Sequence, residues 1–294
     1  MTDLSVYDSI EACRSHLVPL RRAGRIIGLV PTMGALHAGH ASLIRAARES
    51  CEVVVVWIFV NPTQFAPGED FEKYPRPLER DLELCRQAGV DVVLAPAAEA
   101  MYPAGHQTHV EVREIALPWE GRHRPSHFRG VTTIVLKMFN IVQPDFAFFG
   151  QKDYQQQAII RRMCLDLNVP VAIRTCETIR DPDGLALSSR NQYLSPPERQ
   201  TALKLSAALR EVVGLVSEGK IGLNAARAQM RKSLEAEPGI QLDYAEIVDA
   251  DTLQSLESPR ERMVAIVAAT VGSTRLIDNM LIPPFSLAGL NDYD

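Results

Sequence analysis

The chain has 294 residues, 46% of them apolar and 23% charged, a composition that buries a sizeable core and excludes general disorder. The net charge of −5 lies towards one end, because residues 1–180 carry 20 acidic and 20 basic side chains while residues 181–294 carry 16 and 11; no nucleic-acid-binding surface is indicated. The longest apolar runs, 53–60 and 263–271, are under half of the roughly 20 residues a membrane-spanning helix needs, and acidic residues stand where a secretory signal would be basic, so no membrane association and a cytoplasmic location are expected.

From Arg25 onward, short apolar runs alternate with amphipathic stretches, the signature of a parallel sheet with crossover helices. Residues 26–30 read as a strand, Gly39–Ser50 as a helix, and 53–60, apolar on both faces, as a buried second strand. Leu78–Ala88 reads as a helix and 91–95 as a strand. Residues 104–129, including the Arg122-His123-Arg124 run, show no regular pattern and read as a solvated loop. Then follow a helix at Gly130–Val142, a strand at 146–149, a helix at Tyr154–Leu167 and a strand at 171–175, together predicting a doubly wound α/β domain. The turn-rich segment 180–199, with Pro196-Pro197, predicts a boundary. Beyond it, helices at Pro197–Ser217 and Leu223–Glu235 precede strands at Leu242–Val248, Met263–Val271 and Thr274–Leu281, a small α+β domain. The predicted division is 1–179, 180–285 and a tail at 286–294. Cys13, Cys51, Cys85, Cys164 and Cys176 are far apart and without C-x-x-C spacing, so they read as core residues or idle thiols and not as a disulfide framework or zinc site.

Four segments carry chemistry. In LVPTMGALHAGH (29–40) a strand runs through a Pro/Gly turn into a helix start, where free N–H groups and the helix dipole favour an anion. His37 and His40 can donate to phosphate oxygens there, and Gly34 and Gly39 allow close approach; the bland alternative is a helix cap. No carboxylate or thiol accompanies the pair at metal-ligand spacing, and neither the P-loop nor the G-x-G-x-x-G fingerprint is present. In 60–76, Asn61, Gln64 and Tyr74 follow the second strand, and neutral amides there suit hydroxyl and carboxylate recognition. In FFGQKDYQQ (148–156), Lys152, one of only six lysines, would meet phosphates, and Asp153 could orient it or a magnesium ion. In LALSSRN (185–191), Ser188, Ser189 and Arg190 supply donors on a flexible segment suited to a lid.

Taken together, PTMGALHAGH, FVNPTQF, FFGQKDYQQ and GLALSSRN resemble, in order, the blocks of the pantothenate synthetase (pantoate:β-alanine ligase) family of the HxGH nucleotidyltransferase superfamily, from about Val30 to Ile282. The resemblance implies a Rossmann-like domain with a smaller C-terminal lid domain, a homodimer, and ATP-dependent condensation of pantoate with β-alanine through a pantoyl adenylate. It places ATP on Met33, Gly34, Ala35, Leu36, His37, Ala38, Gly39 and His40, on Gly150, Gln151, Lys152 and Asp153, on the backbone of Ile179, and on a mobile segment Leu187, Ser188, Ser189 and Arg190. His40 matches a general acid, and His37, Lys152 and Arg190 match phosphate contacts. Gln64 and Gln156 match pantoate-binding residues, with Gln64 also bordering β-alanine and Asn61 and Tyr74 supporting the pocket. Magnesium is implied as cofactor, held mainly by ATP and water, with Asp81 or Asp153 as an outer contact. The competing readings are a nucleotidyltransferase that keeps the nucleotide on its product, and an idle nucleotide-binding module.

Overall fold

The computed structural model describes residues 4–284, and the segment set apart as a tail at 286–294 lies outside them. The chain forms two compact units that divide between Ile179 and Arg180.

The first unit is a six-stranded, all-parallel sheet. Its strands are β1 (Ser5–Tyr7), β2 (Ile27–Thr32), β3 (Val53–Ile58), β4 (Val92–Leu94), β5 (Phe146–Gly150) and β6 (Ala172–Cys176), in the order β1-β4-β3-β2-β5-β6. The helices are α1 (Ile10–Arg22), α2 (Ala38–Ser50), α3 (Leu78–Gln87), the single turns α4 (Ala98–Met101) and α5 (Glu120–His123), α6 (His127–Val142) and α7 (Tyr154–Asp166). Two layers cover the sheet because its strands are apolar on both faces. Along β3, Val53, Val55 and Trp57 point into one core with α1, α6 and α7, while Val54 and Val56 point into the other with α2 and α3. Trp57 is fully buried.

The order fixes where a ligand can enter. From β2 the chain winds outward through β3 and β4, then returns to place β5 on the opposite side of β2. The crossovers therefore part between β2 and β5, and the crevice beyond the carboxyl ends of those strands is the switch point where open α/β sheets bind ligands. The loops that leave β2 and β5 are residues 33–37, MGALH, and Gln151–Asp153.

β1 and α1 were not among the elements read from the sequence. Three residues are too few to show alternation, and Pro19 inside α1 reads as a breaker although the helix continues through it. A second difference concerns α6, which begins at His127 and not at Gly130.

In the second unit, α8 (Pro196–Ser217) and α9 (Leu223–Glu235) pack on the antiparallel sheet β7 (Ile240–Asp249), β8 (Met263–Val271) and β9 (Thr274–Ile282), with β8 central. Ser195 and Glu198 form a capping box at the start of α8. Just past the division, Arg180 donates two bonds to Asp278 of β9 at 2.6 and 2.8 Å, tying the 180–186 turn to the sheet. Among the described residues no helix is long and apolar enough to cross a membrane.

Candidate active site

The turn after β2 is held by a carboxylate from a distant helix. Asp81 of α3, almost inaccessible, accepts the N–H of Leu36 at 2.7 Å and of Ala35 at 2.8 Å. Those donors converge because Gly34 and Ala35 both have left-handed backbones, φ 80° and 51°. A Cβ on Gly34 would come within 3.0 Å of Asp81 Oδ2. The glycine thus makes room for Asp81, where the sequence pointed to a ligand. Burial raises the Asp81 pKa, with the two N–H bonds working against it. Both of its oxygens accept one loop N–H each, which leaves each a further lone pair for the outer metal contact expected of it.

The two histidines serve the helix and project donors at once. His37 is the N-cap of α2, and its Nδ1 accepts from Gly39 N at 3.1 Å; His40 Nδ1 accepts from His37 N at 3.3 Å. Their rings lie 4.2 Å apart. With each Nδ1 used as an acceptor, the neutral rings carry their protons on Nε2. Capping and phosphate donation, posed as alternatives from the sequence, are compatible through opposite ring nitrogens. Burial, then the repulsion a charged His40 ring would meet from a protonated His37 and from Lys152, lower the His40 pKa to about 3. Burial thus holds the His40 ring towards its neutral form in the free protein, with Nε2–H as the donor it offers.

The remaining groups reach this turn from β3 and β5. Gln64 Nε2 lies 2.8 Å from Met33 Sδ, and its Oε1 accepts from Asn61 Nδ2 at 3.1 Å. Asn61 is itself fully engaged: its Nδ2 also donates to Gly130 O at 3.1 Å, and its Oδ1 accepts from Thr63 and from Tyr102 Oη at 2.8 Å. Tyr74, buried, stacks edge-on with Phe65 at 6.0 Å and closes the loop over its own aromatics. Asn61 thus supports Gln64 directly. Lys152, on the turn after β5, is close enough to influence His40, and Asp153 lies 4.0 Å from its ammonium. Met33, His37, His40, Gln64 and Lys152 are thus brought to one rim.

Of three consecutive glutamines opening α7, two are structural. Gln155 accepts from Glu120 N and donates to Ile115 O and Pro118 O at 3.0 and 2.8 Å, and Gln157 accepts from Thr175. Gln156, between them, is partly exposed and, among the described residues, makes no side-chain hydrogen bond.

The solvated-loop expectation for 104–129 is corrected in the same place. Arg122 and His123 are exposed, but Ile115, Glu120 and His127 are buried, and Arg124 is 14% exposed. Gln155 holds the outer part of the segment, and Arg124 and His127 turn towards Gln64. Burial, then the Arg124 charge, lower the His127 pKa to about 4.

In the second unit, Ser188 caps a short 3-10 turn (Ser189–Tyr193) by accepting from Arg190 N at 3.3 Å; Leu187, Ser188, Ser189 and Arg190 are all partly exposed. Ile179 is 37% exposed. Among the described residues no group of three or more His, Cys, Asp or Glu is placed to hold a metal ion.

The model of the family described as pantoate-beta-alanine ligase matches residues 5–281. A pantothenate synthetase of Moorella thermoacetica is 53% identical over 95% of this chain and 99% of its own, and one of Geobacter sulfurreducens is 49% identical over the same shares. Among solved structures, pantothenate synthetase from Thermus thermophilus superposes with a TM-score of 0.91 at 43% identity, covering 95% of this chain and all of that one. Pantoate-beta-alanine ligase from Francisella tularensis, complexed with beta-gamma ATP and beta-alanine, gives 0.79 at 36% identity, covering 95% and 98%. The chain belongs to the pantoate-beta-alanine ligase family.

Proposed function

We propose that the rim beyond β2, β3 and β5 is where this protein carries out its family's reaction, the ATP-dependent condensation of (R)-pantoate with β-alanine to pantothenate, AMP and pyrophosphate. The observation behind this placement is the gathering of two ring donors, an ammonium and a neutral amide at the switch point between β2 and β5.

Pantoate's carboxylate attacks the α-phosphorus of ATP and expels pyrophosphate. The amine of β-alanine then attacks the acyl carbon of the pantoyl adenylate and expels AMP. No protein nucleophile is needed, and the protein's work is to orient two anions and to stabilise charge that builds on phosphate oxygens. Two anions are hard to bring together without cations near them; Lys152 and the N-terminus of α2 supply positive potential there. His37 and His40 add Nε2–H donors whose direction is fixed by the helix. His40 donates to the forming charge, and bound phosphates would favour the protonated ring that its matched role as general acid requires. Gln64, neutral and buried, suits pantoate's carboxylate and hydroxyls and the edge of the β-alanine pocket; Gln156 is assigned the far side of pantoate.

The wider ATP contacts, from Met33 to His40 and from Gly150 to Asp153, follow from the same rim. The roles of Ile179 and of Leu187–Arg190 rest on the sequence resemblance alone, as does a homodimer, which light scattering tests. Magnesium suits a site of this kind, since it commonly takes one or two carboxylates plus phosphates and not an all-protein cage. Asp153, with its carboxylate half-exposed, is the residue suited to hold it. When bound, the metal would neutralise phosphate charge.

The test is to incubate the protein with ATP, magnesium, pantoate and β-alanine. AMP and pantothenate should form in equal amounts. Pyrophosphate release without pantoate would favour a transferase, and no turnover a binding module.

A further inference from the structure

The Arg122–Arg124 run had no chemical role in the sequence, yet its last member lies at the centre of a network behind Gln64. Arg124 donates through Nε and Nη2 to the two oxygens of Glu69, both at 2.7 Å, and Nη2 also reaches the Gln64 carbonyl oxygen at 3.3 Å. Its Nη1 lies 3.2 Å from His127 Nε2. A guanidinium only donates, so Nε2 is the acceptor and the His127 proton sits on Nδ1. That proton is given to the same Gln64 carbonyl at 2.8 Å. Gly130, one turn on, lets α6 press against this backbone: a Cβ there would lie 2.4 Å from Thr63 O and 2.7 Å from Gln64 N.

We propose that Arg124 and His127 are positioning residues for the acid pocket, fixing the Gln64 carbonyl and thereby the amide that receives pantoate and borders β-alanine. The proposal rests on the reading of Gln64 given above. Gln64 is held from two sides: Asn61 and Met33 meet its side chain, and Arg124 and His127 meet its backbone. None of the hydrogen bonds made by Arg124 or His127 goes to the turn that carries His37 and His40, or to Lys152. Losing the pair should therefore separate the substrates kinetically, weakening pantoate and leaving ATP alone.

The experiment is steady-state kinetics on the full chain with R124A, R124K, H127N and H127Q, each with a thermal melt. An asparagine amide nitrogen falls where Nδ1 was and keeps the donor to Gln64. A glutamine amide reaches where Nε2 was, so its oxygen can accept from Arg124 but no donor remains at the Nδ1 position for the Gln64 carbonyl. R124A and H127Q should raise the KM for pantoate roughly tenfold or more, with the KM for ATP within about twofold, while H127N stays within about threefold of wild type throughout. Should R124A fail to fold, R124K, which keeps the charge and loses the fork, carries the same expectation. Pantoate KM unchanged in the arginine variants and H127Q, ATP and pantoate KM rising together, or equal effects of H127N and H127Q would overturn the proposal. Q64A separates the two levels. If Q64A raises the pantoate KM and R124A and H127Q do not, only the positioning role fails. If Q64A itself has no effect, the reading of the pocket fails and the proposal with it.

Discussion

Replacing Asp81 by Asn isolates the contact that shapes the turn after β2. The carboxylate accepts from Leu36 N at 2.7 Å and from Ala35 N at 2.8 Å, out of reach of solvent. A carboxamide keeps one of these bonds and turns its own N–H groups on the other donor. Loss of a charge-assisted bond costs about 1.5–3 kcal/mol and a stranded buried N–H about 1–3 kcal/mol; the two overlap, so about 3 kcal/mol is a fair figure. Ala35 sits at φ 51°, a backbone that costs an L-residue about 1–2 kcal/mol, so the turn relaxes once its anchor weakens. A change of about 3 kcal/mol moves a conformational equilibrium by roughly 150-fold, and apparent affinity falls with the competent fraction. We expect kcat/KM for ATP, measured by pantoate-dependent exchange of pyrophosphate into ATP, to fall by ~10- to 100-fold in D81N. A folded D81N with kcat/KM for ATP within about threefold of wild type would refute the argument that Asp81 holds the nucleotide turn.

Alanine at His40 or Lys152 should lower adenylate formation by roughly 10²-fold, as loss of one preorganised donor does; near-normal exchange in both would remove them from the phosphate site. Gly130→Ala should destabilise the first unit by about 1–3 kcal/mol, because the new methyl meets backbone; an unchanged urea midpoint would contradict that packing. His127 titrates near 4 when folded, against 6.5 for an ordinary histidine, so the unfolded chain takes up the proton first as pH falls. Its contribution is complete above pH 6.5 and is lost on acidification towards 4, about 2 kcal/mol of it by pH 5. Glu69 and Glu120 pull the other way on this ring and burial and Arg124 outweigh them, so H127N, which does not titrate, should lose less stability than wild type between pH 7.5 and 5; parallel losses would be the contrary result.

What the sequence made legible was whatever is local. β3 is an unbroken apolar run and α9 an amphipathic stretch with turn formers at its ends, so periodicity located both. The H-x-G-H and Gly-Gln-Lys-Asp turns were visible because strand, turn and helix start are consecutive. The supports of the site were not visible, since each pairs residues far apart in the chain. Asp81 answers Ala35 and Leu36 from 46 and 45 positions away, and Arg124 answers Glu69 from 55. Single-turn helices such as Glu120–His123 are too short to show a period, and the segment around them therefore read as loop. One signal was available: Gln155 and Gln157 flank Gln156 on a helix, where successive side chains point about 100° apart, so three glutamines in a row cannot all face one ligand.

The pairing of His37 and His40 at the start of α2 has a further consequence. Their Nδ1 atoms close the first turn of the helix, so neither ring can flip without opening that turn. Orientation and proton placement are inherited from backbone folding and need no outside carboxylate to set them. A lysine or arginine at either position would bring charge but could not accept the backbone N–H, and an asparagine could cap but would not reach as far. Fraying of one helical turn and loss of both donors are accordingly a single event, which makes amide exchange at His37 and Gly39 a direct reporter of whether the site is assembled.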